Sequence, residues 1–361
     1  MAEPLKNQFF QKSFFTSLTK HIRRHHSGFD TKRFFRLLYD ASWVDRELKA
    51  RMRHASEALG QTLPQDYRKA LGILMRVEEH YRGFDHLLFA DFVERFGVDD
   101  YQASIPALER LTRTSAEFAI RPFIRKHPKK TMAQMKRWAR SKHEHVRRLA
   151  SEGCRPRLPW GAALAEFKKD PTPILPVLEL LKADASESVR RSVANNLGDI
   201  AKDNPDIALA TARRWLKESR NHEPLLKHGL RGLLKKGDPR ALALFGLDIR
   251  SKVTVTRLAV TPRQIRIGEG AQLEFELVSG EKAPRPVRLE YIVEYARPSG
   301  RPSQKVFQIK QVRLEPSEQI RVQRKLSFAD RSTRKHHPGR HSLTLVVNGN
   351  RTRTTRFALV L

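Results

Sequence analysis

The hydrophobic pattern of this chain changes its period near residue 250. Before that point apolar residues recur at helical spacing, as Phe14, Leu18 and Ile22 do. After it they alternate with polar residues, as in "QLEFELV" and "VRLEYIVEY". One segment cannot satisfy both periods. The pattern therefore predicts a helical domain at residues 1–248 and a β domain at residues 249–361.

The helical part contains an internal repeat. The sequence "EHVRR" at 144–148 recurs as "ESVRR" at 187–191, and the spacing from Pro128 to Trp138 recurs from Pro205 to Trp215. Paired amphipathic helices with a period near 40 residues are typical of HEAT-like arrays, so an α-solenoid is predicted. Helix breaks are predicted at "SGFD" (27–30), "LPQD" (63–66), "IP" (105–106), "KHP" (126–128), "DNPD" (203–206) and "GDP" (237–239).

The pattern of the β part predicts a β-sandwich. It holds about seven or eight short strand-like runs, and Asn348-Gly349 is a two-residue hairpin signal between the last two. That number of strands in a segment of this length favours an immunoglobulin-like β-sandwich. The predicted fold class is thus multidomain, α then β: a HEAT-like α-solenoid followed by an immunoglobulin-like β-sandwich.

The charge of the chain constrains its partner. Seventy lysines and arginines against 39 aspartates and glutamates give a net charge of +31, which attracts polyanions. DNA, RNA and an anionic membrane surface all fit this charge. No apolar run reaches the roughly 18 residues of a membrane span, and the N-terminus lacks the pattern of a secretion signal. We therefore expect a cytoplasmic protein, with its one cysteine, Cys154, as a buried apolar residue.

Familiar catalytic and cofactor motifs are missing. The sequence has no phosphate-binding glycine-rich loop, no dinucleotide fingerprint and no HExxH zinc motif. The basic clusters "HIRRHH" (21–26) and "RKHH" (334–337) have no acidic or cysteine co-ligands, so phosphate contacts are expected there rather than metal ligands. We expect no metal and no cofactor.

A few acids and one tryptophan stand out against the basic background. Glu152 follows Arg148 by four residues and shares its helix face, so this acid is expected to lie beside an arginine that binds phosphate. The alternative is a plain surface ion pair between the two residues. Asp199 follows Gly198 at an expected helix end, where an acid is electrostatically disfavoured. Glu117 lies in an apolar segment, where a capping or ion-pair role is the alternative. Trp160 ends the rigid "RPRLPW", either as core filler or as an exposed aromatic.

At these residues the sequence resembles the AlkC-type DNA alkylation-repair glycosylases of bacteria, relatives of AlkD built from HEAT-like repeats. The resemblance spans about residues 1–245, and the sandwich resembles an immunoglobulin-like extension found in one branch of that family. The segments that carry it are "MAEPLKNQFF", "SAEFAIRPFI", "HEHVRRLASEGCRPRLPW" and "SVRRSVANNLGDIAKDNPD".

The resemblance implies an enzyme of base excision repair. Such enzymes hydrolyse the N-glycosidic bond of cationic alkylated bases, 3-methyladenine and 3-methylcytosine, without deep base flipping. It implies Glu117, Glu152, Asp199 and Trp160 as active-site residues. The expected partner is double-stranded DNA containing alkylated bases and not a membrane, and the expected state is a nucleoid-associated monomer.

Cations must hold the DNA close to these acids, because carboxylates repel phosphates. The residues predicted to do so are Arg147, Arg148, Arg155, Arg157, Arg190 and Arg191, with Arg331, Arg334 and Lys335 in the sandwich loop "RSTRKHHPGR". Two alternatives remain open at this stage: a non-catalytic HEAT-repeat scaffold that binds nucleic acid, and an RNA-binding or membrane-surface protein.

Overall fold

The computed structural model of the chain describes residues 5–330 and 334–361. The chain divides into two compact units, the first ending at Asn204 and the second running from Pro205 to Leu361. The predicted limits 1–248 and 249–361 follow the change of secondary structure, whereas the compact units group the last helices with the strands. Those domain limits stay a prediction.

The first unit is helical, as predicted. Its short 3₁₀ turns are Leu5–Asn7, Glu78–His80 and Phe84–His86. Its helices are α1 Lys12–His25, α2 Thr31–Leu38, α3 Leu48–Thr62, α4 Tyr67–Val77, α5 Leu87–Phe96, α6 Tyr101–Leu111, α7 Arg121–Lys126, α8 Pro128–Trp138, α9 Glu144–Glu152, α10 Ala165–Lys169, α11 Leu175–Leu181 and α12 Glu187–Asp203.

Aspartates begin three of these helices, because an aspartate oxygen can accept a hydrogen bond from a free backbone N–H in the first turn. Asp30 accepts from the N–H of Arg33, and Asp66 and Asp100 do the same for α4 and α6. Phe14, Leu18 and Ile22, which recur at helical spacing on α1, are buried. The breaks predicted at 27–30 and 63–66 therefore lie where helices do begin.

Pro106 lies inside α6, so the break predicted at residues 105–106 is wrong. A proline within a helix removes one backbone hydrogen bond and crowds the preceding turn, at a cost of about 3 kcal/mol. The helix continues because Ile105, Ala107 and Leu108 are all buried on the core side. Their packing offsets the local cost.

The internal repeat corresponds to equivalent positions in helices. The first repeated sequence opens α9 at Glu144 and α12 at Glu187, each after an extended residue. In the second repeat, Trp138 and Trp215 are both fully buried. The repeated letters thus mark helix starts and core aromatics.

Among residues 205–330 and 334–361, the second unit contains four α-helices, eight strands and the 3₁₀ turn Arg220–His222. The helices are α13 Pro205–Glu218, α14 Glu223–Gly229, α15 Arg231–Lys236 and α16 Pro239–Leu244. The strands are β1 Val253–Thr261, β2 Gln264–Arg266, β3 Gly270–Ser279, β4 Arg285–Tyr295, β5 Ser303–Leu314, β6 Gln319–Ser327, β7 Gly339–Val347 and β8 Asn350–Val360. They form a three-stranded sheet, β1-β3-β6, and a five-stranded sheet, β2-β8-β7-β4-β5.

Alternate residues of the strands build the sandwich core. Leu273, Phe275 and Leu277 of β3 are completely buried, as the period of two predicts. Asn348 and Gly349 join β7 to β8, and both have positive φ, +46° and +82°. A two-residue hairpin turn of this kind requires that conformation at both positions. The predicted hairpin is therefore present.

Candidate active site

Two of the predicted acids share one arginine. Arg155 lies just after α9, and its Nη1 donates to Oε1 of Glu152 at 2.6 Å while its Nε donates to Oδ2 of Asp199 at 2.9 Å. Glu152, Arg155 and Asp199 are 7%, 7% and 3% exposed. One buried guanidinium thus joins two carboxylates from two different helices.

The electrostatics of this group favour the charged arginine. Burial acts to lower the pKa of the Arg155 guanidinium, but hydrogen bonds and the charges of Asp199 and Glu152 outweigh it and raise that pKa. The second oxygen of Glu152 accepts from Oγ of Ser192 at 2.6 Å. Among the described residues, Oδ1 of Asp199 accepts a hydrogen bond from Lys202 Nζ alone, at 3.4 Å. Asp199 therefore has the more weakly engaged oxygen.

The helix that carries Asp199 does not end at Gly198. It continues to Asp203, so the prediction that Asp199 ends a helix is wrong. Buried Leu197 and Ile200 on either side support the helix through the glycine. Asp199 therefore lies one turn inside α12, where Arg155 compensates its charge.

Glu117 has a different arginine from the one the other two acids share. It lies in the turn before α7 and is 8% exposed. Its Oε1 is 3.5 Å from both terminal nitrogens of Arg148, and its Oε2 accepts a hydrogen bond from Ser115. Helix spacing placed Glu152 beside Arg148, with a plain surface ion pair between them as the alternative, and that ion pair does not form among the described residues. The structure joins Arg148 to Glu117 and leaves Glu152 to Arg155.

Trp160 is exposed and conformationally unusual. It is 62% exposed, whereas Trp43, Trp138 and Trp215 are buried. Its φ of +64° lies in the left-handed region, which costs a non-glycine residue energy and is found preferentially at functional sites. Its carbonyl accepts from Nζ of Lys49 at 2.5 Å. Of the two roles left open by the sequence, the structure favours the exposed aromatic.

Arg121 anchors the segment that carries Trp160, and the sequence reasoning missed it. Its Nη1 donates to the carbonyls of Gly153 and Arg155 at 3.0 and 2.9 Å, and its Nε and Nη2 donate to the carbonyl of Ala162 at 2.9 and 2.6 Å. Burial lowers the pKa of this guanidinium to about 10. The signal in the sequence was an arginine between Ile120 and Pro122 in an apolar run.

Several arginines predicted to bind phosphate are engaged within the protein. Arg147 forms two hydrogen bonds with Asp184, at 2.6 and 3.0 Å. Arg157 forms two with Asp203, at 2.7 and 2.6 Å. The reason is geometric, because a guanidinium fits a carboxylate through two parallel bonds.

Arg190 and Arg191 are the repeat equivalents of Arg147 and Arg148, and their contacts within the protein are weaker than that of Arg147 with Asp184. Arg190 donates to the carbonyls of Asp184 and Ala185, and Arg191 pairs with Glu187 one turn earlier at 2.6 Å. Arg190 is partly exposed and Arg191 is exposed. Neither residue is buried as Arg155 is.

The predicted residues of the sandwich loop are only partly described. Arg331 lies outside the described residues. Arg334 lies over the Tyr295 ring, 5.6 Å from its centroid, and Lys335 is exposed. Both line a cavity of about 630 Å³ together with Lys305 and Arg297.

Three further features concern the cysteine, possible metal ligands and possible membrane spans. Cys154 is buried, as expected, and burial raises the pKa of its thiol to about 12. Across residues 5–330 and 334–361, no group of three or more histidine, cysteine or acidic side chains is arranged to hold a metal ion. None of the helices described in those ranges combines the length and hydropathy of a membrane span.

Comparison with known proteins relates both halves of the chain to the same group. The family described as "Uncharacterised protein YhaZ, C-terminal Ig-like domain" matches residues 254–361. The protein YhaZ of Bacillus subtilis is 40% identical over 343 residues, covering 95% of this chain and 96% of its own. Alkylpurine DNA glycosylase AlkC of Pseudomonas fluorescens, solved bound to DNA with an abasic site analog, superposes with a TM-score of 0.93 at 37% identity. That match covers 99% of this chain and 100% of the other, and confirms the predicted fold class.

Proposed function

This chain belongs to the family of YhaZ and the AlkC-type glycosylases, and from that membership we propose that it is a DNA glycosylase acting on alkylated bases. The finer substrate we propose is a cationic base, 3-methyladenine or 3-methylcytosine. The observation that carries the proposal is the pair of buried carboxylates, Glu152 and Asp199, on one guanidinium in a chain that matches AlkC over its length.

The enzyme does not need to activate the alkylated nucleobase as a leaving group. A cationic base is a good leaving group without protonation, so the main barrier is the electron-poor sugar left as the N-glycosidic bond breaks. Negative charge near the sugar stabilises that transition state more than the ground state. The enzyme therefore needs fixed carboxylates more than a general acid.

The acid pair supplies such charge. Glu152, Asp199 and Arg155 have a formal net charge of −1, and Arg155 fixes both acids in place. Lys202 adds a more exposed positive charge 3.4 Å from Oδ1 of Asp199. A carboxylate about 4 Å from the sugar cation, at an effective dielectric near 20, contributes about 4 kcal/mol, or about a thousandfold in rate. Oδ1 of Asp199, which Arg155 does not bind, would orient the attacking water.

Trp160 would complete the site from its exposed position. An indole face attracts a cation, here the charged base or sugar. Arg121 and Lys49 hold the backbone around Trp160 through carbonyl contacts, and its strained φ is consistent with a side chain kept outward for a ligand. A base that meets this exposed surface would not need to enter a deep pocket.

We assign the predicted cations different roles within this function. Arg155, buried between two acids, positions those acids rather than a phosphate. Arg148, at 3.5 Å from Glu117, has the longest ion pair of the arginines near the site and is our first candidate for a phosphate contact. Arg334 and Lys335 are candidates in the sandwich.

The remaining details belong to the same proposal. Water as the nucleophile would make the enzyme a monofunctional hydrolase that leaves an intact abasic strand. The site needs no metal or cofactor for this reaction, because the charges come from side chains. Chromosomal DNA as substrate would place its work at the nucleoid, and the monomeric state stays a prediction.

Release of free base tests the proposal. Purified protein is incubated with methylated duplex DNA, and free 3-methyladenine and 3-methylcytosine are measured by chromatography. We expect release by the wild type and a fall of about a thousandfold for Glu152→Gln and for Asp199→Asn, with DNA affinity nearly unchanged. Glu187→Gln, an exposed acid on the same helix as Asp199, is the matched control and should keep full activity.

The alternative function is a scaffold that binds nucleic acid without catalysis. It is supported by the pairing of Glu152 and Asp199 with Arg155, because a purely structural ion network is built in the same way. A scaffold would bind methylated DNA and release no base. That result from the folded wild type would overturn the proposed activity.

A further inference from the structure

The N-terminal helices form a basic groove that includes two arginines of the "HIRRHH" cluster and none of the candidate active-site residues. It has a volume of about 420 Å³ and lies between α1 and α2. Lys20, Arg23 and Arg24 supply its charges. Thr16, Thr19, Ser27 and Thr31 supply hydroxyl groups, and we call these seven residues the N-terminal groove.

The charges of the groove have no acidic partners. Residues 12–36 contain seven lysines and arginines and a single acid, Asp30. Asp30 does not line the groove, and its carboxylate accepts a hydrogen bond from the backbone of Arg33. Across the described ranges 5–330 and 334–361, none of those seven cations forms an ion pair. They are therefore available to an external anion.

The geometry of α1 groups these cations. Residues three and four apart share a helix face, so Arg23 and Arg24 both lie beside Lys20, one turn along. All three are exposed. Arginine binds phosphate oxygens through two parallel hydrogen bonds, and lysine adds a point charge.

A hydroxyl group in the same groove also lacks a partner. Oγ1 of Thr31, the first residue of α2, is buried and accepts or donates no hydrogen bond. A buried polar atom without a partner is costly and uncommon in folded proteins.

We propose that the N-terminal groove binds the backbone phosphates of the duplex DNA, as a contact separate from the acids and Trp160. This rests on the proposed function in so far as DNA is the partner. The groove has no aromatic lining on which a base could stack, so it would read charge and not sequence. Its contribution is therefore expected to be equal for damaged and undamaged DNA.

Salt dependence of binding measures such contacts directly. The variant combines Lys20→Gln, Arg23→Gln and Arg24→Gln, and binding of full-length protein to an undamaged 30-base-pair duplex is followed by fluorescence anisotropy. The matched control combines Lys32→Gln, Arg33→Gln and Arg36→Gln, which removes the same charge from exposed residues of α2 that do not line the groove.

We expect the groove variant to lose more of the salt dependence than the control. Each phosphate contact contributes about 0.9 to the slope of log binding constant against log salt concentration, so three contacts contribute about 2.7. The wild type should then lose about 40-fold more affinity than the groove variant between about 50 and 200 mM salt. Helical circular dichroism checks that both variants are folded.

Three outcomes would overturn the inference. The two variants could lose equal slopes, which would show a general charge effect without a site. Inorganic phosphate at millimolar concentration could protect the groove arginines from phenylglyoxal while duplex DNA does not, which would show a site for a small anion. Vesicles containing phosphatidylglycerol could bind the wild type more tightly than DNA and the groove variant weakly, which would show a lipid site.

The result is independent of catalysis. If the wild type releases no base but the groove variant loses the predicted slope, the proposed enzyme activity fails and the groove inference stands. If base is released and the slopes are equal, the reverse holds.

Discussion

The arginines around the candidate active site and the cations of the N-terminal groove carry the same charge but have different neighbours. Arg147, Arg155 and Arg157 each bind one or two carboxylates within the fold. Lys20, Arg23 and Arg24 bind none among the described residues. A net charge of +31 therefore counts two kinds of cation. The paired ones fix acids and neighbouring loops, and the unpaired ones face solvent and are available to a polyanion.

Burial decides how much each kind contributes to stability. Removing one partner of a buried ion pair leaves an uncompensated charge, at a cost of about 3 to 5 kcal/mol, whereas an exposed pair contributes about 0 to 1 kcal/mol. The comparison can therefore be tested by stability measurements that span this range.

The largest effect is expected for Arg155→Met. The substitution leaves Glu152 and Asp199 buried near each other without their shared cation. We expect the free energy of unfolding at pH 7 to fall by about 3 to 5 kcal/mol in urea denaturation. Adding Glu152→Gln and Asp199→Asn to the same protein should recover part of this loss. A loss below about 1 kcal/mol would mean that solvent reaches the acids and that burial does not govern the pair.

An intermediate effect is expected for Asp91→Asn on α5. Asp91 is 2% exposed, and its Oδ1 lies 2.9 Å from Nη2 of Arg53, which also binds Glu94. Burial raises the pKa of the Asp91 carboxyl to about 6, while Arg53 lowers it less strongly. Here one arginine serves two acids, as Arg155 does, but burial dominates over pairing.

The sign of the pH dependence follows from that shift. A carboxyl whose pKa is higher in the folded than in the unfolded state favours folding when protonated, and that favour is lost as pH rises from about 4 to about 6. Asparagine does not ionise, so the Asp91→Asn variant does not lose this contribution to stability as pH rises. Relative to the wild type, the variant should therefore gain stability between pH 4 and pH 7, by about 2 to 3 kcal/mol. Parallel denaturation curves of both proteins at the two pH values measure the gain, and an unchanged difference would show that Asp91 titrates normally.

The smallest effect is expected for Arg191→Gln. Its pair with Glu187 is one turn apart on α12, and both side chains are more than half exposed, at 63% and 74%. Such pairs contribute about 0.3 to 0.5 kcal/mol, so the free energy of unfolding should change by less than about 0.5 kcal/mol. A change above about 1 kcal/mol would contradict the division between paired, buried arginines and exposed ones.

The fold was predictable from the sequence because it depends on periodic patterns. The change from a period of 3.6 to a period of 2 predicted helices followed by a sandwich, and Asn348-Gly349 predicted a hairpin turn that is present. The failures were local. Pro106 did not break α6 and Gly198 did not end α12, because buried neighbours outweighed their helix-breaking tendency.

The candidate site was only partly predictable. Glu117, Glu152, Asp199 and Trp160 were singled out as unusual residues, and their roles stay predictions. Helix spacing placed Glu152 beside Arg148, but spacing tells only which residues share a face. It does not tell that the turn carrying Glu117 lies against Arg148, or that Arg155 reaches Asp199.

The sequence by itself determined the order of helices and strands, the polyanion preference and the small set of acids on a basic background. These depend on residue types and on their spacing along the chain. Only the tertiary structure decided which arginine binds which acid, that Arg121 holds the Trp160 segment, and which cations stay unpaired. Ion pairs depend on distances between residues far apart in the chain, and packing alone sets those distances.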